Sequence, residues 1–155
     1  MALAGGICGR SLRHPDETDL RIMNAAQGIG EEPSSKEPPT ILVVDDVVLA
    51  RMVAASQLRH HGFAVIEVSS AEEAMRILSA PVQVDLVFAD VNLEGSSLDG
   101  FALGRWVRNN RPGMKVLFTS GVVRSPAPDG ETVLPKPYKY EELVRRIRAL
   151  LASDR

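Results

Sequence analysis

TILVVDD, residues 40–46, is a short and mostly apolar run that ends in two adjacent acids. A nearly continuous apolar run of this length is typical of a strand buried on both faces of a parallel sheet. Asp45 and Asp46 then lie at the carboxyl end of that strand. Because the loops at the carboxyl ends of parallel strands line the ligand crevice of such sheets, the stretch predicts a central strand with a functional site at its end.

The rest of the folded part alternates strand patterns with helical patterns. Ser70 and Glu73 form a capping box at the start of one helix, and Gly62 suits the end of another. The predicted strands are 40–44, 64–68, 84–89, 115–119 and 132–135, and the predicted helices are 47–62, 70–80, 100–113 and 140–151. This alternation predicts an α/β fold with a flavodoxin-like, doubly wound, five-stranded parallel sheet in the order 2-1-3-4-5.

The link between the fourth and fifth strands, residues 120–131, departs from the alternation. It reads SGVVRSPAPDGE, and its two prolines and two glycines do not suit an ordinary helix. We therefore expect the fourth helix of this fold to be shortened or missing.

Composition and charge narrow the class of protein. With 155 residues, of which 45% are apolar and 25% charged, the chain has room for one globular domain and a tail. A net charge of −2 gives no basic surface for nucleic acid or an anionic membrane, and no apolar run approaches the ~18 residues of a membrane span. The single cysteine, Cys8, excludes an internal disulfide. We expect a cytoplasmic protein.

Residues 1–38 differ from the rest of the chain. They include the linker-like EEPSSKEPP, and their scattered apolar residues bury too little surface to offset the entropy of ordering. We expect a flexible N-terminal tail, with at most a short helix over 15–26, followed by a folded domain at 39–152. Met23 is an alternative start of the natural chain.

Polar side chains follow four of the five predicted strands, at the edge where the carboxyl ends meet. Three close acids repel one another unless a cation lies among them, and Mg²⁺ suits oxygen ligands and phosphate oxygens. A lysine and a threonine can bind phosphoryl oxygens, so the set suits phosphoryl transfer to a carboxylate. The alternative is that Asp46 merely caps the helix that starts at Val47. The residues at this edge are Asp45, Asp46, Asp90, Thr119, Ser120 and Lys136.

The motifs VVDD, VFADVNL, LDG, VLFTSG and LPKPY, in this order, resemble the receiver domain of bacterial response regulators. The resemblance covers residues 40–151. It implies that Asp90 is the phosphoacceptor, which takes a phosphoryl group from a phosphohistidine and forms an acyl phosphate. It also implies a Mg²⁺ site in which Asp46 binds the metal directly and Asp45 acts through water, with Asp90 and the backbone carbonyl of Asn92 as further ligands.

The resemblance assigns roles to the remaining edge residues as well. Thr119 would move toward the phosphoryl oxygens, and Lys136 would pair with the phosphoryl group. The Lys136–Pro137 bond would be cis, which an X-Pro bond adopts at low cost. The sequence departs from the family at Val133, where receivers carry an aromatic switch residue, so the usual switch mechanism is not expected.

These features predict a phosphoacceptor signalling switch of a two-component phosphorelay. Such a domain is not an enzyme in the ordinary sense, although it assists its own phosphotransfer and autodephosphorylation. The expected partners are a histidine kinase or histidine phosphotransfer protein and a downstream protein target. We expect no attached output module, and we expect the chain to be a monomer or weak dimer. Val47 and Val48, beside the acids, are candidate docking residues.

Three other functions share parts of this pattern. A phosphatase of the haloacid dehalogenase type needs Asp-x-Asp, whereas the acids here are adjacent. A nucleotide or flavin module needs a glycine-rich turn after the first strand, which DDVVLAR does not provide. A receiver-like scaffold that binds partners without phosphorylation stays open as an alternative because of Val133.

Overall fold

The structure is a computed structural model that describes residues 37–122 and 130–153. The expected tail up to residue 36, with Cys8 and Met23, lies outside the described residues, as do residues 123–129, on which the predicted loss of the fourth helix mainly falls. Within the described ranges five strands alternate with four helices: β1 (Thr40–Val44), α1 (Val48–His60), β2 (Ala64–Val68), α2 (Ala71–Ser79), β3 (Leu86–Asp90), α3 (Gly100–Asn110), β4 (Lys115–Ser120), β5 (Val133–Pro135) and α4 (Tyr140–Ala152).

All five strands are parallel and form one sheet in the order β2-β1-β3-β4-β5. The predicted flavodoxin-like fold is therefore confirmed. The central strands β1 and β3 are almost fully buried along their lengths, because helices cover both faces of the sheet. This double burial explains why both strands read as continuous apolar runs rather than as alternating patterns.

Successive residues of each central strand enter two different cores. Leu42 and Val87 pack with α2 and α3 on one face, whereas Ile41 and Phe88 pack with α1 and α4 on the other. Replacing a buried leucine by alanine typically costs about 2–5 kcal/mol, so a one-residue slip of either strand would be strongly unfavourable. The register of the strands, and hence the position of their carboxyl ends, is fixed by this packing.

The helix ends follow local signals. The Ser70 hydroxyl accepts a hydrogen bond from the Glu73 N–H at 3.2 Å, as the capping box predicts. After the end of α1, Gly62 adopts φ +88°. The predicted helix 100–113 is too long, because Pro112 disfavours helical geometry at Arg111 and α3 ends at Asn110. No helix in the described part of the chain has the length and apolar content needed to cross a membrane.

Candidate functional site

The carboxyl edge of the sheet collects the polar residues that follow the strands. Asp90 is the last residue of β3 and lies opposite Thr119 in the register of β4. Asp45 follows the neighbouring strand β1. Lys136 follows β5, and its backbone N–H donates to the Ser120 carbonyl at 2.9 Å. Four strand ends thus deliver carboxylates, a hydroxyl and an ammonium group to one edge.

Asp45, Asp90 and Lys136 are in direct contact at this edge. The Lys136 Nζ donates to Oδ2 of Asp90 at 2.5 Å and lies 3.7 Å from Oδ2 of Asp45. Both aspartates are only 7% exposed. Because the two carboxylates are buried, water screens their mutual repulsion only weakly. The lysine lies between them and offsets that repulsion.

The pKa values of the acid and the base reflect this crowding. Burial raises the pKa of Asp45, and the charges of Asp90 and Asp46 add to the increase, although the Val47 N–H and Lys136 oppose it. Burial alone would lower the pKa of Lys136, but its hydrogen bond to Asp90 and the charges of both buried acids raise that pKa overall. The site thus holds excess negative charge that a further cation would relieve.

The turn after β1 holds the acid pair in place. The Val47 N–H donates to Oδ1 of Asp45 at 2.9 Å, and Nη1 of Arg51 donates to the Asp45 carbonyl at 2.6 Å. The N-cap of α1 is Val47, and no side chain caps this helix. The alternative in which Asp46 caps the helix is therefore wrong; Asp46 lies half-buried beside Asp45.

The loop after β3, residues 91–99, begins with a bond to Asp90 and closes on Val91. The Asn92 N–H donates to Oδ1 of Asp90 at 3.0 Å, and the Gly100 N–H donates to the Val91 carbonyl at 2.9 Å. A Cβ at Gly100 would lie 2.2 Å from the Asp90 carbonyl oxygen. Only glycine therefore allows α3 to begin so close to Asp90.

Thr119 is a buried polar residue of the site whose hydroxyl lacks a partner among the described residues. It is 1% exposed, and its Oγ1 has no hydrogen-bond partner among the described residues. The neighbouring Ser120 hydroxyl, in contrast, exchanges hydrogen bonds with the backbone of Val122. A buried hydroxyl without a partner costs about 1–3 kcal/mol, which suggests that Thr119 binds a group that arrives at the site.

The donor set fits Mg²⁺ if water completes the coordination. The described residues contain no group of three acidic, histidine or cysteine side chains that could hold a metal by themselves. Mg²⁺ commonly uses only one or two carboxylates and keeps several waters. Asp90, the half-buried Asp46 and its buried neighbour Asp45, together with the carbonyl of the exposed Asn92 on the loop after β3, offer such a set. The raised pKa of Asp45 agrees with this, because it reflects a crowding of negative charge that a bound cation would relieve.

An exposed apolar surface adjoins the acids. We call it the exposed face of α1 and define it by Val47, Val48, Leu49 and Met52. These apolar side chains are unusually accessible for their type. The exposed fractions are 54% for Val47, 58% for Val48, 71% for Leu49 and 57% for Met52. The candidate docking residues Val47 and Val48 are therefore exposed, and Leu49 and Met52 extend the surface.

A shallow groove lies between this surface and Lys136. It has a volume of about 410 Å³ and is lined by Ala50, Lys136, Pro137, Tyr138 and Tyr140. The two tyrosine rings meet edge to face at 5.9 Å, and burial raises the pKa of the Tyr138 hydroxyl. The Lys136–Pro137 bond is cis, as the resemblance implies.

A second cavity lies beside Val133, on the other side of the site. Its volume is about 250 Å³, and its lining includes Asn92, Phe101, Ser120, Val122 and Val133. The small Val133 side chain is half-buried there. The position where receivers carry a large ring is thus bordered by open space in this chain.

Two charged residues near the site were missed in the sequence. Arg51 reaches back to the Asp45 carbonyl, and the carboxylate of Glu72 binds Ser96 and Ser97 of the loop after β3. The second contact joins residues 24 and 25 positions apart. Because neither contact has a local sequence signature, only the tertiary structure reveals them.

Comparison with known proteins shows which family the chain resembles. The sequence model of the response regulator receiver domain family matches residues 41–148. The chain is 31% identical over 122 residues to the sensor kinase CckA of Brucella abortus, covering 74% of this chain and 13% of that protein. It is 32% identical over 122 residues to the protein PetR of Rhodobacter capsulatus, covering 76% of this chain and 50% of that protein. The chain therefore spans at most half the length of these two relatives.

A solved structure shows the same architecture. The crystal structure of a response regulator receiver protein from Sinorhizobium medicae superposes with a TM-score of 0.70 at 28% sequence identity. The match covers 77% of this chain and 98% of the other. The fold match thus extends over nearly the whole of that receiver protein.

Proposed function

Because the chain belongs to the response regulator receiver domain family, we propose that it is a phosphoacceptor switch that takes a phosphoryl group on Asp90. The observation that carries the proposal is the contact of the buried Asp90 with Lys136 at 2.5 Å, beside a buried Thr119 hydroxyl that has no partner among the described residues. A carboxylate, a fixed cation and a free hydroxyl are the groups that a bound phosphoryl needs.

The proposed reaction moves the phosphoryl group from a protein phosphohistidine to an Oδ atom of Asp90. The new O–P bond forms while the N–P bond breaks, and the electron pair of that bond stays with the imidazole of the donor. Before transfer, Lys136 neutralises Asp90. After transfer, the same ammonium group pairs with the phosphoryl oxygens, so the lysine changes partner without leaving the site.

Thr119 supplies a further hydrogen bond to the phosphoryl group. Its hydroxyl, one strand away from Asp90 in register, donates to a phosphoryl oxygen. This contact gives the phosphorylated state a bond that the unphosphorylated state lacks. The difference is what allows the site to bias one conformation over another.

Mg²⁺ is the proposed cofactor. Asp46 and Asp90 would hold it directly, the Asn92 carbonyl would complete the protein ligands, and Asp45 would act through water. When bound, the metal neutralises charge on the phosphoryl oxygens and helps to align them. The family and the crowded carboxylates support this assignment.

The proposed partners are proteins. The exposed valines, Leu49 and Met52 on α1 lie next to the acids and suit an apolar contact with a histidine kinase or a histidine phosphotransfer protein. We further propose that the chain works in the cytoplasm as a monomer or weak dimer and signals by binding a downstream protein or by passing the phosphoryl group on.

The proposal is tested by incubating the full chain with acetyl phosphate and Mg²⁺ and measuring its intact mass. Wild type should gain the mass of one phosphoryl group, and the gain should disappear in Asp90→Asn and after removal of Mg²⁺ by a chelator. Asp99→Asn is the matched control, because Asp99 lies on the same loop but caps α3 and asparagine is an equally good cap. Failure of wild type to gain mass from acetyl phosphate or from a panel of histidine kinases would favour a scaffold that works without phosphorylation.

A further inference from the structure

The loop after β3 is exposed where it departs from the core. Leu93 is 6% exposed and anchors its first part, whereas Glu94, Gly95 and Ser97 are exposed. Gly95 has φ +84° and allows the chain to reverse there. The proposed metal ligand of this loop, the Asn92 carbonyl, belongs to an exposed residue whose N–H is held by Oδ1 of Asp90, so the direction of the carbonyl depends on the course of the loop that follows it.

Glu72 of α2 holds the tip of this loop with both carboxylate oxygens. Its Oε2 accepts from the Ser96 hydroxyl at 2.6 Å. Its Oε1 accepts from the Ser97 N–H at 2.9 Å and from the Ser97 hydroxyl at 2.5 Å. The bonds from Ser96 and Ser97 lower the pKa of Glu72 to about 2, so the carboxylate is ionised at neutral pH and its hydrogen bonds are charge-assisted.

The helix that carries Glu72 is a rigid support. Ala71, Ala74 and Leu78 of α2 are at most 1% exposed in the core. At the other end of the helix, Nη1 of Arg111 donates to the Leu78 carbonyl at 2.5 Å and ties α3 to α2. Glu72 therefore fixes the loop against an element that is itself immobilised by packing.

We propose that Glu72 is a positioning residue for the Mg²⁺ site: through Ser96 and Ser97 it fixes the loop after β3 so that the Asn92 carbonyl faces the acids. The inference rests on the proposed function and adds a residue outside the ligand set. Groups that orient metal ligands without touching the metal commonly change metal affinity by about 10–100-fold when they are removed.

This role differs from a purely structural one. The three bonds of Glu72 go to the exposed tip of the loop, while the core contacts of the loop through Leu93 do not involve it. Removal of the carboxylate should therefore leave the packing of the core intact and change the geometry offered to the metal. The substitution should therefore lower the affinity for Mg²⁺ without lowering the melting temperature.

The test is a calorimetric titration of the full chain with Mg²⁺, with the melting temperature and the hydrogen exchange of the Ser97 amide measured on the same samples. The variants are Glu72→Gln, which removes the charge, and Ser97→Ala, which removes one of the three bonds and keeps the charge. The matched control is Glu94→Gln, an exposed acid on the same loop.

Glu72→Gln is expected to weaken Mg²⁺ binding about tenfold, Ser97→Ala less, and Glu94→Gln hardly at all, with all melting temperatures close to wild type. Faster exchange of the Ser97 amide in Glu72→Gln with unchanged Mg²⁺ affinity would overturn the inference. Equal weakening in Glu72→Gln and Glu94→Gln would also overturn it, because the effect would then be one of net charge. Absence of Mg²⁺ binding in wild type would instead overturn the metal site of the proposed function.

Discussion

Nζ of Lys136 lies 2.5 Å from Oδ2 of Asp90, and the same ammonium group lies 3.7 Å from Oδ2 of Asp45. One cation thus compensates two carboxylates that are each 7% exposed. In the proposed reaction, the charge that holds the two acids together before phosphorylation also binds the phosphoryl group afterwards.

Replacement of Lys136 by methionine should expose this double role. Without the ammonium group, the rate of acyl phosphate formation should fall by about a hundredfold, the loss typical when one electrostatic contact to a reacting group is removed. The free energy of unfolding should fall by about 1–2 kcal/mol, less than for a fully buried pair, because 30% of the Lys136 side chain is exposed. The rate is measured by intact mass against time in acetyl phosphate. A rate within threefold of wild type would show that the lysine does not serve the transfer.

Thr119→Val keeps the volume of the side chain and removes the hydroxyl. Because Oγ1 is buried and has no partner among the described residues, we expect the unphosphorylated variant to be as stable as wild type or more stable by about 1 kcal/mol. Ser120→Ala is the control; it removes a hydroxyl that binds Val122 and should cost about 0.5–1.5 kcal/mol. Urea unfolding measures both. A large loss of stability in Thr119→Val would mean that the hydroxyl already has a partner in the unphosphorylated state.

The pH dependence of stability should identify Asp45. Burial, with the charges of Asp90 and Asp46, raises its pKa above 3.8, so the folded chain binds this proton more tightly than the unfolded chain. The favourable contribution of this proton to the free energy of unfolding is present below pH 3.8 and is lost as the pH rises through the folded-state pKa. Relative to Asp45→Asn, which does not titrate, metal-free wild type should therefore lose stability between pH 3.8 and neutral pH.

Addition of Mg²⁺ at neutral pH supplies the control for this pH effect. A cation bound by the folded state alone stabilises it by an amount that grows with the logarithm of the metal concentration relative to its dissociation constant, so Mg²⁺ should stabilise wild type more than Asp45→Asn. A stability difference between the two chains that stays constant with pH would show that Asp45 has an ordinary pKa.

The exposed face of α1 should matter for a protein donor and not for a small one. Leu49 is 71% exposed, so Leu49→Asp should change the free energy of unfolding by less than about 0.5 kcal/mol. It should leave phosphorylation by acetyl phosphate unchanged and slow transfer from a phosphohistidine protein by about tenfold or more, as expected for a charge placed in an apolar contact. Val82→Asp, at a 37% exposed site in the link between α2 and β3, is the control. Equal effects of the two substitutions would argue against docking at α1.

The central strands were predictable from the sequence because double burial makes them continuously apolar, whereas the half-buried edge strand β2, AVIEV, was indicated by its short, mostly apolar run of β-branched residues. β1 and β2 have the predicted bounds, and β3 differs by two residues at its start and one at its end. Val84 is buried although it precedes the strand, so its apolar character reflects the core rather than the strand. Asp90 belongs to β3 because its backbone pairs with Thr119, which hydrophobicity does not indicate.

The edge residues were predictable as a group because topology places the ends of parallel strands together. Their contacts were not, since they depend on side chains from distant segments. The bridge from Lys136 to both acids and the bonds from Glu72 to the loop after β3 join residues more than twenty positions apart. The alternative of Asp46 as a helix cap was wrong for a local reason: the residue pattern favours a cap at Asp46, but the turn in which the Val47 N–H binds Asp45 places Val47 at that position.

The central claim, that Asp90 receives the phosphoryl group, is tested most directly by trapping the acyl phosphate. The chain is phosphorylated with acetyl phosphate and Mg²⁺, treated with borohydride, which reduces an aspartyl phosphate to homoserine, and mapped by peptide mass spectrometry. We expect homoserine at position 90 and unchanged aspartates at positions 45 and 46. Homoserine at either of those positions, or at none of the three in a chain that has gained phosphoryl mass, would contradict it.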